Sequence, residues 1–244
     1  MLLRRAQNNS FTMKTIVVTG ATKGIGRAIC QKFAKSGFNI GLCARNEKDL
    51  EEFSKELTKL GAGKVYYESC DVSQKTALKE FAEHLKQEFT EINVLVNNAG
   101  VYLPGTIAGE EEGALEQMIE TNLYSAYHLT RLLLPAIKGS DAPYIFNMCS
   151  TASIYAYENG GSYCISKFAL LGMTKVLRQE LKETVKVSAI LPGPTLTASW
   201  DGVDLPASRF MQAEEVAEVV WTAYHLKGSA VVEEIVMRPQ LGDI

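Results

Sequence analysis

Residues 15–26 read Thr-Ile-Val-Val-Thr-Gly-Ala-Thr-Lys-Gly-Ile-Gly, a short β-branched run followed by a glycine-rich turn. The run is typical of a strand that is buried on both faces. Gly20, Gly24 and Gly26 allow a tight turn and let backbone amides approach a pyrophosphate, with the positive end of the next helix facing the anion. The spacing is G-x-x-x-G-x-G rather than the common G-x-G-x-x-G. A simple strand-to-helix connection is therefore the alternative interpretation.

Apolar strand-like runs alternate with amphipathic helical runs in the rest of the chain. This alternation predicts an α/β fold: a doubly wound, Rossmann-like parallel sheet of about seven strands with helices on both faces. Each crossover is expected to be right-handed. The predicted strands are 15–19, 39–44, 65–69, 92–96, 143–148, 185–191 and 231–237, and the predicted helices are 24–36, 47–60, 73–89, 112–137, 161–182 and 213–226.

The composition is that of a globular protein. Apolar residues make up 46% and charged residues 22% of the 244 residues, which excludes a disordered or fibrous chain. The formal net charge of −3 argues against binding to nucleic acid or to an anionic membrane surface. No segment approaches the ~18 apolar residues that span a bilayer, and the N-terminus lacks the pattern of a secretory signal. Residues 1–12 are predicted to be a polar arm, and residues 13–244 a single Rossmann-like domain.

The cysteines and histidines do not form a metal-binding pattern. The five cysteines are scattered and include no C-x-x-C pair, and the three histidines do not cluster in sequence. This usage predicts reduced, packed thiols in a cytoplasmic protein, and no metal site.

Six motifs occur in the order that is typical of one enzyme family. The turn that begins at Thr19 resembles the cofactor loop of the short-chain dehydrogenase/reductase family. Any one of the motifs occurs by chance, but all six in order hardly could, so the chain is identified as a member of that family over about residues 14–237. The six motifs, which follow the turn along the chain, are Asp71, Asn97-Asn-Ala-Gly100, Asn122, Ser150, Tyr163-x-x-x-Lys167 and Pro192-Gly193.

Tyr163 and Lys167 are four residues apart in a predicted helix, so both side chains lie on one face, about one turn apart. A tyrosine has an ordinary pKa of about 10, and a nearby ammonium stabilises its phenolate and eases proton transfer near neutral pH. An isolated Y-x-x-x-K pair is usually a surface feature. The family resemblance instead implies that Tyr163 is the acid/base of an oxidoreductase that transfers a hydride between a nicotinamide and a carbonyl or secondary alcohol.

Ser150 and Asn122 complete the predicted catalytic set. The resemblance implies that the Ser150 hydroxyl binds the substrate oxygen and steadies the developing alkoxide. A serine at a strand end is otherwise usually a cap or turn residue. Asn122 falls inside a predicted helix, where asparagine is unfavourable. The resemblance implies a bent helix whose freed carbonyl holds a water that relays protons to Lys167, and a tolerated polar position is the alternative.

The predicted cofactor is NADP(H). Members that prefer NAD carry an aspartate near the end of the second strand, where it binds the ribose 2′-hydroxyl. Here that strand ends Leu42-Cys43-Ala44-Arg45, and the cations Arg45 and Lys23 suit a 2′-phosphate. Two solvated surface cations are the alternative. The predicted cofactor-binding residues are Gly20, Thr22, Lys23, Gly24, Ile25, Gly26, Arg45, Asp71, Val72, Asn98, Ala99, Gly100, Tyr163, Lys167, Pro192, Gly193, Thr195 and Thr197.

Three segments are expected to face the substrate: residues 101–103, residues 152–159 and the stretch after Pro194. Their aromatic and aliphatic content predicts an apolar pocket for a small-molecule carbonyl or alcohol. Trp200 is expected to pack rather than to recognise the substrate. The C-terminal residues 236–244 lack the Gly-Gly that is usual in 3-oxoacyl-ACP reductases. They resemble the ends of sepiapterin reductase-like and 3-hydroxy-acid dehydrogenase-like members, which weakens the 3-oxoacyl-ACP reductase interpretation without excluding it.

A homodimer or homotetramer is predicted from the helices at 112–137 and 161–182, which carry apolar residues on more than one face. One face must cover the sheet, so the surplus predicts a partner. The family resemblance implies pairing of these helices across a two-fold axis. The residues that carry this argument are Leu129, Leu132, Leu133, Ile137, Leu170, Leu171 and Val176.

Two other functions remain as alternatives. One is a catalytically idle NADP(H)-binding or sensing protein, which would have no need of the complete predicted catalytic set. The other is a sugar-nucleotide epimerase or dehydratase of the same superfamily. Such chains carry a longer C-terminal substrate domain and usually a different glycine spacing, and neither is present here.

Overall fold

The computed structural model describes residues 13–197, 200, 202 and 204–244, and within them it contains one seven-stranded sheet whose paired strands are all parallel. The predicted arm at residues 1–12 lies outside the described residues. The strands are β1 (Thr15–Thr19), β2 (Asn39–Ala44), β3 (Val65–Ser69), β4 (Val94–Asn97), β5 (Tyr144–Met148), β6 (Lys186–Pro192) and β7 (Glu234–Met237). Their order is β3-β2-β1-β4-β5-β6-β7, so the predicted doubly wound parallel sheet is confirmed.

Helices cover both faces of this sheet. Buried side chains of α1, α2 and α7 pack on one face, around Phe33 and Phe53, and those of α3 and α5 pack on the other, around Phe81 and Leu129. Strands that are covered on both faces are expected to be mostly apolar, and β1 and β5 are buried at every residue. The helices are α1 (Gly24–Ala34), α2 (Glu47–Lys59), α3 (Lys75–Glu88), α4 (Ala114–Ile119), α5 (Ser125–Lys138), α6 (Gly161–Leu181) and α7 (Ala213–His225).

The long helix predicted at 112–137 is divided by one turn of π-helix. The π turn covers Glu120–Tyr124 and separates α4 from α5, and the Ser125 amide donates to the Glu120 carbonyl five residues earlier. Asn122 lies at the centre of this turn. The poor helix propensity of Asn122 therefore marked a real irregularity, and such π turns are frequent at functional sites.

Most other boundaries agree with the prediction to within about two residues, and hydrogen bonds account for two of the differences. The helix predicted from residue 73 begins at Lys75, and the amide and hydroxyl of Ser73 both donate to Asp71 Oδ1. β7 begins at Glu234 rather than at residue 231. Just before this strand, the carbonyl of Val232 accepts from the side-chain hydroxyl of Ser188 on β6 rather than from a backbone amide.

The strand order reverses between β1 and β4, and this point locates the site. In open α/β sheets ligands bind at the carboxyl ends of the strands, beside such a reversal. Thr19 ties the two strands together there, since its Oγ1 accepts from the amides of Asn98 and Ala99, each at 3.0 Å. Within the described ranges, no helix combines the length and apolar character needed to cross a bilayer.

Candidate active site

A cleft of about 1150 Å³ runs along the carboxyl ends of the strands. It brings together nearly all of the predicted site residues from six separate strand ends. Gly26 and Asn122 do not line it, because both are buried behind its wall. The predicted residues that line the cleft are Gly20, Thr22, Lys23, Gly24, Ile25, Arg45, Asp71, Val72, Asn98, Ala99, Gly100, Ser150, Tyr163, Lys167, Pro192, Gly193, Thr195 and Thr197.

The turn between β1 and α1 requires its glycines. Gly20 and Gly24 have φ angles of +63° and +51°, in the left-handed region that side chains disfavour. At Gly26 a Cβ would lie 2.5 Å from both the carbonyl of Gly20 and the amide nitrogen of the Asn98 side chain. The turn is thereby packed against the loop that follows β4. On the opposite side Thr197 covers Gly24. A Cβ at Gly24 would lie 2.9 Å from the methyl group of Thr197.

We expect Gly26→Ala to destabilise the protein by roughly 1–3 kcal/mol, because the new methyl group has no space between the turn and the Asn98 loop. Thermal unfolding of the variant measures this loss. Gly139→Ala is the matched control, since Gly139 has a φ of −79° and the nearest atom to its Cβ would be 3.6 Å away. Equal melting temperatures for Gly26→Ala and the parent would contradict the packing argument.

Two cations lie at the β1–β2 end of the cleft. Lys23 and Arg45 both line it and are exposed, and neither has an ion pair among the described residues. Arg27, the third cation of this region, is by contrast engaged by Glu56 and lies over the ring of Phe53. Lys23 and Arg45 are therefore the two that could bind an anionic group.

Tyr163 lies on the first turn of α6, with Ser150 beside it after β5. Burial raises the pKa of Tyr163 to about 12, and the hydrogen bond with the Ser150 side chain opposes this rise. The phenol is therefore protonated at neutral pH and able to donate. Ser150 Oγ also accepts from the amide of Ala152 at 3.1 Å. The cap interpretation of Ser150 therefore holds alongside its position in the cleft.

Lys167 reaches the cleft from one turn further along α6. Its side chain is buried, its Nζ donates to the carbonyl of Met148 at 2.9 Å, and it lies 5.8 Å from the centre of the Tyr163 ring. Burial lowers the pKa of Lys167 to about 8, since a charged ammonium is disfavoured away from water. The lysine is mostly charged at pH 7, and it lies next to the group whose phenolate it could stabilise.

Asn122 holds the wall of the cleft together. Its Oδ1 accepts from the amide of Val101 at 2.8 Å, and its Nδ2 donates to the carbonyl of Val101 at 3.0 Å and to Ser166 Oγ at 2.8 Å. The side chain thus joins the π turn, the loop after β4 and α6. Gly100 permits this proximity, since a Cβ there would lie 3.2 Å from Asn122 Oδ1 and 3.5 Å from Lys167 Nζ.

A buried polar ladder under the cleft was not predicted from the sequence. Asn97 Nδ2 donates to Asn147 Oδ1 at 2.7 Å, and Asn147 Nδ2 donates to Thr174 Oγ1 at 2.9 Å. The ladder connects β4, β5 and α6. Asparagines inside two apolar strands were the available signal, because buried amides require partners. The cleft residues Ala44, Asn46, Asp49 and Cys70 were also missed.

The substrate end of the cleft is lined by aromatic rings. Tyr102 packs edge-on against Tyr163 with ring centres 4.9 Å apart, and Tyr155 and Tyr157 also line the cleft, from the loop before α6. Trp200 packs against Phe210 as expected, and it also lines the cleft as part of the stretch after Pro194. Within the described ranges, no cluster of three or more His, Cys, Asp or Glu side chains is arranged to hold a metal ion.

The chain belongs to the short-chain dehydrogenase family, whose sequence profile matches residues 14–205. It is 32% identical over 238 residues to the sepiapterin reductase of Chlorobaculum tepidum, covering 94% of this chain and 97% of that one. An alcohol dehydrogenase from the archaeon Thermococcus sibiricus, complexed with 5-hydroxy-NADP, superposes with a TM-score of 0.87 at 27% identity, covering 94% and 97%. A substituted variant of actinorhodin polyketide ketoreductase with NADPH gives a TM-score of 0.84 at 27% identity, covering 95% and 98%. This chain is accordingly an oxidoreductase that acts between carbonyl and alcohol groups.

Proposed function

We propose that the protein is an NADP(H)-dependent oxidoreductase that interconverts a small-molecule carbonyl and a secondary alcohol, with Tyr163 as its acid/base. The observation that carries this proposal is the placement of the Tyr163 phenol in the cleft, beside both the Ser150 side chain and the Lys167 ammonium. The turn between β1 and α1, in which Gly20 and Gly24 line the cleft with positive φ angles, fits a pyrophosphate-bearing cofactor.

The chain's own groups account for the proton side of the reaction. The nicotinamide cofactor, when bound, supplies the hydride to the carbonyl carbon or accepts it back. Ser150 Oγ–H polarises the carbonyl and stabilises the developing alkoxide. Tyr163 donates its phenolic proton to that oxygen, which completes the alcohol. The Lys167 ammonium then stabilises the phenolate until a proton is returned from solvent. Asn122 keeps the wall beside Lys167 in place through its bonds to Val101 and Ser166. The proposal also includes the water that is expected to be held by a carbonyl of the π turn and to relay protons to Lys167.

A panel of ketones, 3-oxoesters and 2-oxo compounds, followed by NADPH absorbance, tests the reaction. We expect turnover of at least one class. Tight binding of NADPH without turnover of any class would instead favour the idle binding protein. The tyrosines that line one end of the cleft favour substrates whose carbonyl carries an apolar substituent.

Carbonyl reduction is expected to slow as the pH rises through about 8. Lys167 has a lowered pKa of about 8 and loses its charge there, whereas Tyr163 keeps its proton because its pKa is raised to about 12. Losing the ammonium removes the charge that stabilises the phenolate formed in the reaction. The kcat for reduction, measured at saturating cofactor over the range around pH 8, checks this. A kcat that rises steadily through that range would contradict the role of Lys167.

The chain is proposed to be one domain that forms a homodimer or homotetramer. Of the seven residues predicted to carry this contact, only Val176 is exposed, and Leu129, Leu133, Ile137, Leu170 and Leu171 are buried in the protomer. Apart from Val176, the predicted residues are therefore buried or half-buried and are not available for a contact between protomers. In addition to Val176, the same two predicted helices expose five apolar side chains that were not predicted, which are Leu115, Tyr124, Tyr127, Ile165 and Phe168.

We expect light scattering at micromolar concentration to give the mass of a dimer or tetramer. Phe168→Glu, which places a charge in the exposed set, is expected to lower that mass, because burying an unpaired carboxylate is costly. A monomeric mass for the parent would contradict the proposal.

The five cysteines are all free and buried thiols, which supports the proposed cytoplasmic location.

A further inference from the structure

The first turn of α6 is capped from a distant loop. Its N-cap residue, Gly160, has no side chain to accept from the free amides of that turn. Instead Glu110 Oε1 accepts from the amide of Ser162 at 2.7 Å across 52 residues of sequence, and the Ser162 hydroxyl donates to Glu110 Oε2. Ser162 is 2% exposed, so both bonds are shielded from water.

The loop that carries Glu110 is docked onto the same turn by its backbone. The amide of Gly105 donates to the carbonyl of Asn159 at 2.9 Å, and Gly105 pairs with Gly160 as an isolated bridge. The amide of Glu110 donates to the carbonyl of Thr106 at 2.8 Å, which orients the carboxylate toward α6. The loop is therefore held at both of its ends.

Glycine at position 161 makes this approach possible. A Cβ there would collide with the Glu110 carboxylate and would lie 2.7 Å from the carbonyl of Gly105. The chain thus places no side chain at the point where the loop meets the helix. A carboxylate at a helix N-terminus is also favoured by the helix dipole and forms stronger hydrogen bonds than a neutral acceptor.

Tyr163 is confined from both sides by this contact. Ser162, the residue that Glu110 holds, is its immediate neighbour on α6. The segment that leads into the loop supplies Tyr102, whose ring packs against Tyr163 with centres 4.9 Å apart. Moving the loop away from α6 would therefore free both the backbone before Tyr163 and the ring beside it.

We propose that Glu110 is a positioning residue of the reaction: its carboxylate fixes the first turn of α6 and the 105–110 loop so that the Tyr163 hydroxyl is held at the substrate oxygen. This inference rests on the proposed function of Tyr163. A displacement of about 1 Å at a reacting group can cost up to ~10²-fold in rate. Glu110 does not line the cleft, so it acts through Ser162 and the loop rather than on the substrate.

Four variants separate positioning from general stability. Glu110→Ala removes both bonds, and Glu110→Gln keeps a carbonyl oxygen for the Ser162 amide. Ser162→Ala removes the hydroxyl bond only. Glu112→Ala is the matched control, since it also removes a carboxylate close to this loop. The Glu112 carboxylate is exposed and has no ion pair with the described residues. Each variant is assayed for kcat and for KM of carbonyl substrate, for cofactor Kd by fluorescence titration, and for melting temperature.

We expect Glu110→Ala to lower kcat roughly 10-fold to 10²-fold with little change in cofactor Kd, because the cofactor loop and Arg45 lie elsewhere in the cleft. Glu110→Gln is expected to recover most of this loss, Ser162→Ala to lose roughly threefold to tenfold, and Glu112→Ala to match the parent. A kcat like the parent's in Glu110→Ala would overturn the proposal. A fall in melting temperature with kcat unchanged would also overturn it, since the carboxylate would then only stabilise the fold.

A second readout is independent of turnover. Amide hydrogen exchange at residues 161–164 is expected to be faster in Glu110→Ala than in Glu112→Ala. In Glu110→Gln it is expected to be slower than in Glu110→Ala. If the parent turns over no carbonyl compound, the proposed function fails, and exchange still decides whether Glu110 holds the turn. Equal exchange in all variants would overturn the positioning role. Should Glu110→Ala not fold, Ser162→Ala and Glu110→Gln carry the same comparison.

Discussion

Tyr163→Phe is expected to lower kcat for carbonyl reduction by at least ~10²-fold, which is the lower end for loss of a general acid. The phenylalanine keeps the ring and its edge-on contact with Tyr102, so the pocket is unchanged except for the donor. Cofactor Kd is expected to change little, because the phenol is not a main anchor of the cofactor. Steady-state kinetics and fluorescence titration of the cofactor measure the two quantities separately.

The matched control for this change is Tyr155→Phe. Tyr155 also lines the cleft, is 63% exposed and lies on the loop before α6, and its contact with Arg238 uses the ring rather than the hydroxyl. We expect this control to retain most of the parent's kcat. Near-full turnover in Tyr163→Phe, on a substrate that the parent reduces, would remove Tyr163 from the proposed mechanism.

NADPH is expected to bind roughly 10²-fold or more tightly than NADH. Lys23 and Arg45 line the cleft without ion pairs to the described residues, and each charge-assisted contact with a 2′-phosphate contributes about 1.5–3 kcal/mol before screening. Because both cations are exposed, most of the preference is expected to fade at high salt. Titration of both cofactors at low and high ionic strength measures this.

Two substitutions at the end of β2 test the origin of that preference. Arg45→Ala is expected to weaken NADPH far more than NADH. Ala44→Asp is expected to shift the preference toward NADH, by accepting from the ribose hydroxyl and repelling the phosphate. Lys48→Ala is the control, since that side chain is exposed on α2 and does not line the cleft. Equal affinities in the parent, or a parent that prefers NADH, would show that the two cations are not phosphate ligands.

The sheet and the cleft could be predicted because each depends on local patterns. Strand and helix periods differ along the chain, and in parallel sheets all strand ends meet at one edge. Ser150 after β5 and the Tyr163–Lys167 pair on one face of α6 therefore converge as expected. The hydrophobic period of a helix does not indicate which of two apolar stripes faces the sheet. Leu129 and Leu133 turned inward while Tyr124 stayed exposed.

Glu110 could not have been found from the sequence for a different reason. Its contact with Ser162 spans 52 residues and joins a loop to a helix end, so neither partner carries a local signature. An N-cap is usually inferred from the residues that precede a helix, and α6 is preceded by a glycine. Only the folded chain reveals that the cap comes from elsewhere. Asn147 did have a local signal, as an asparagine within an apolar strand, but its partners Asn97 and Thr174 lie on other elements.

The Asn97–Asn147 pair has a consequence for how the floor of the cleft is aligned. The two residues lie directly opposite each other on β4 and β5. A slip of one residue between these strands would turn every side chain to the opposite face. The side-chain amides of Asn97 and Asn147 would then lose their hydrogen bond inside an apolar layer, which costs about 1–3 kcal/mol for each unsatisfied group. The ladder therefore fixes the register of β4 and β5, and with it the positions of the two strand ends that lead to Gly100 and Ser150, where the chemistry is proposed to occur.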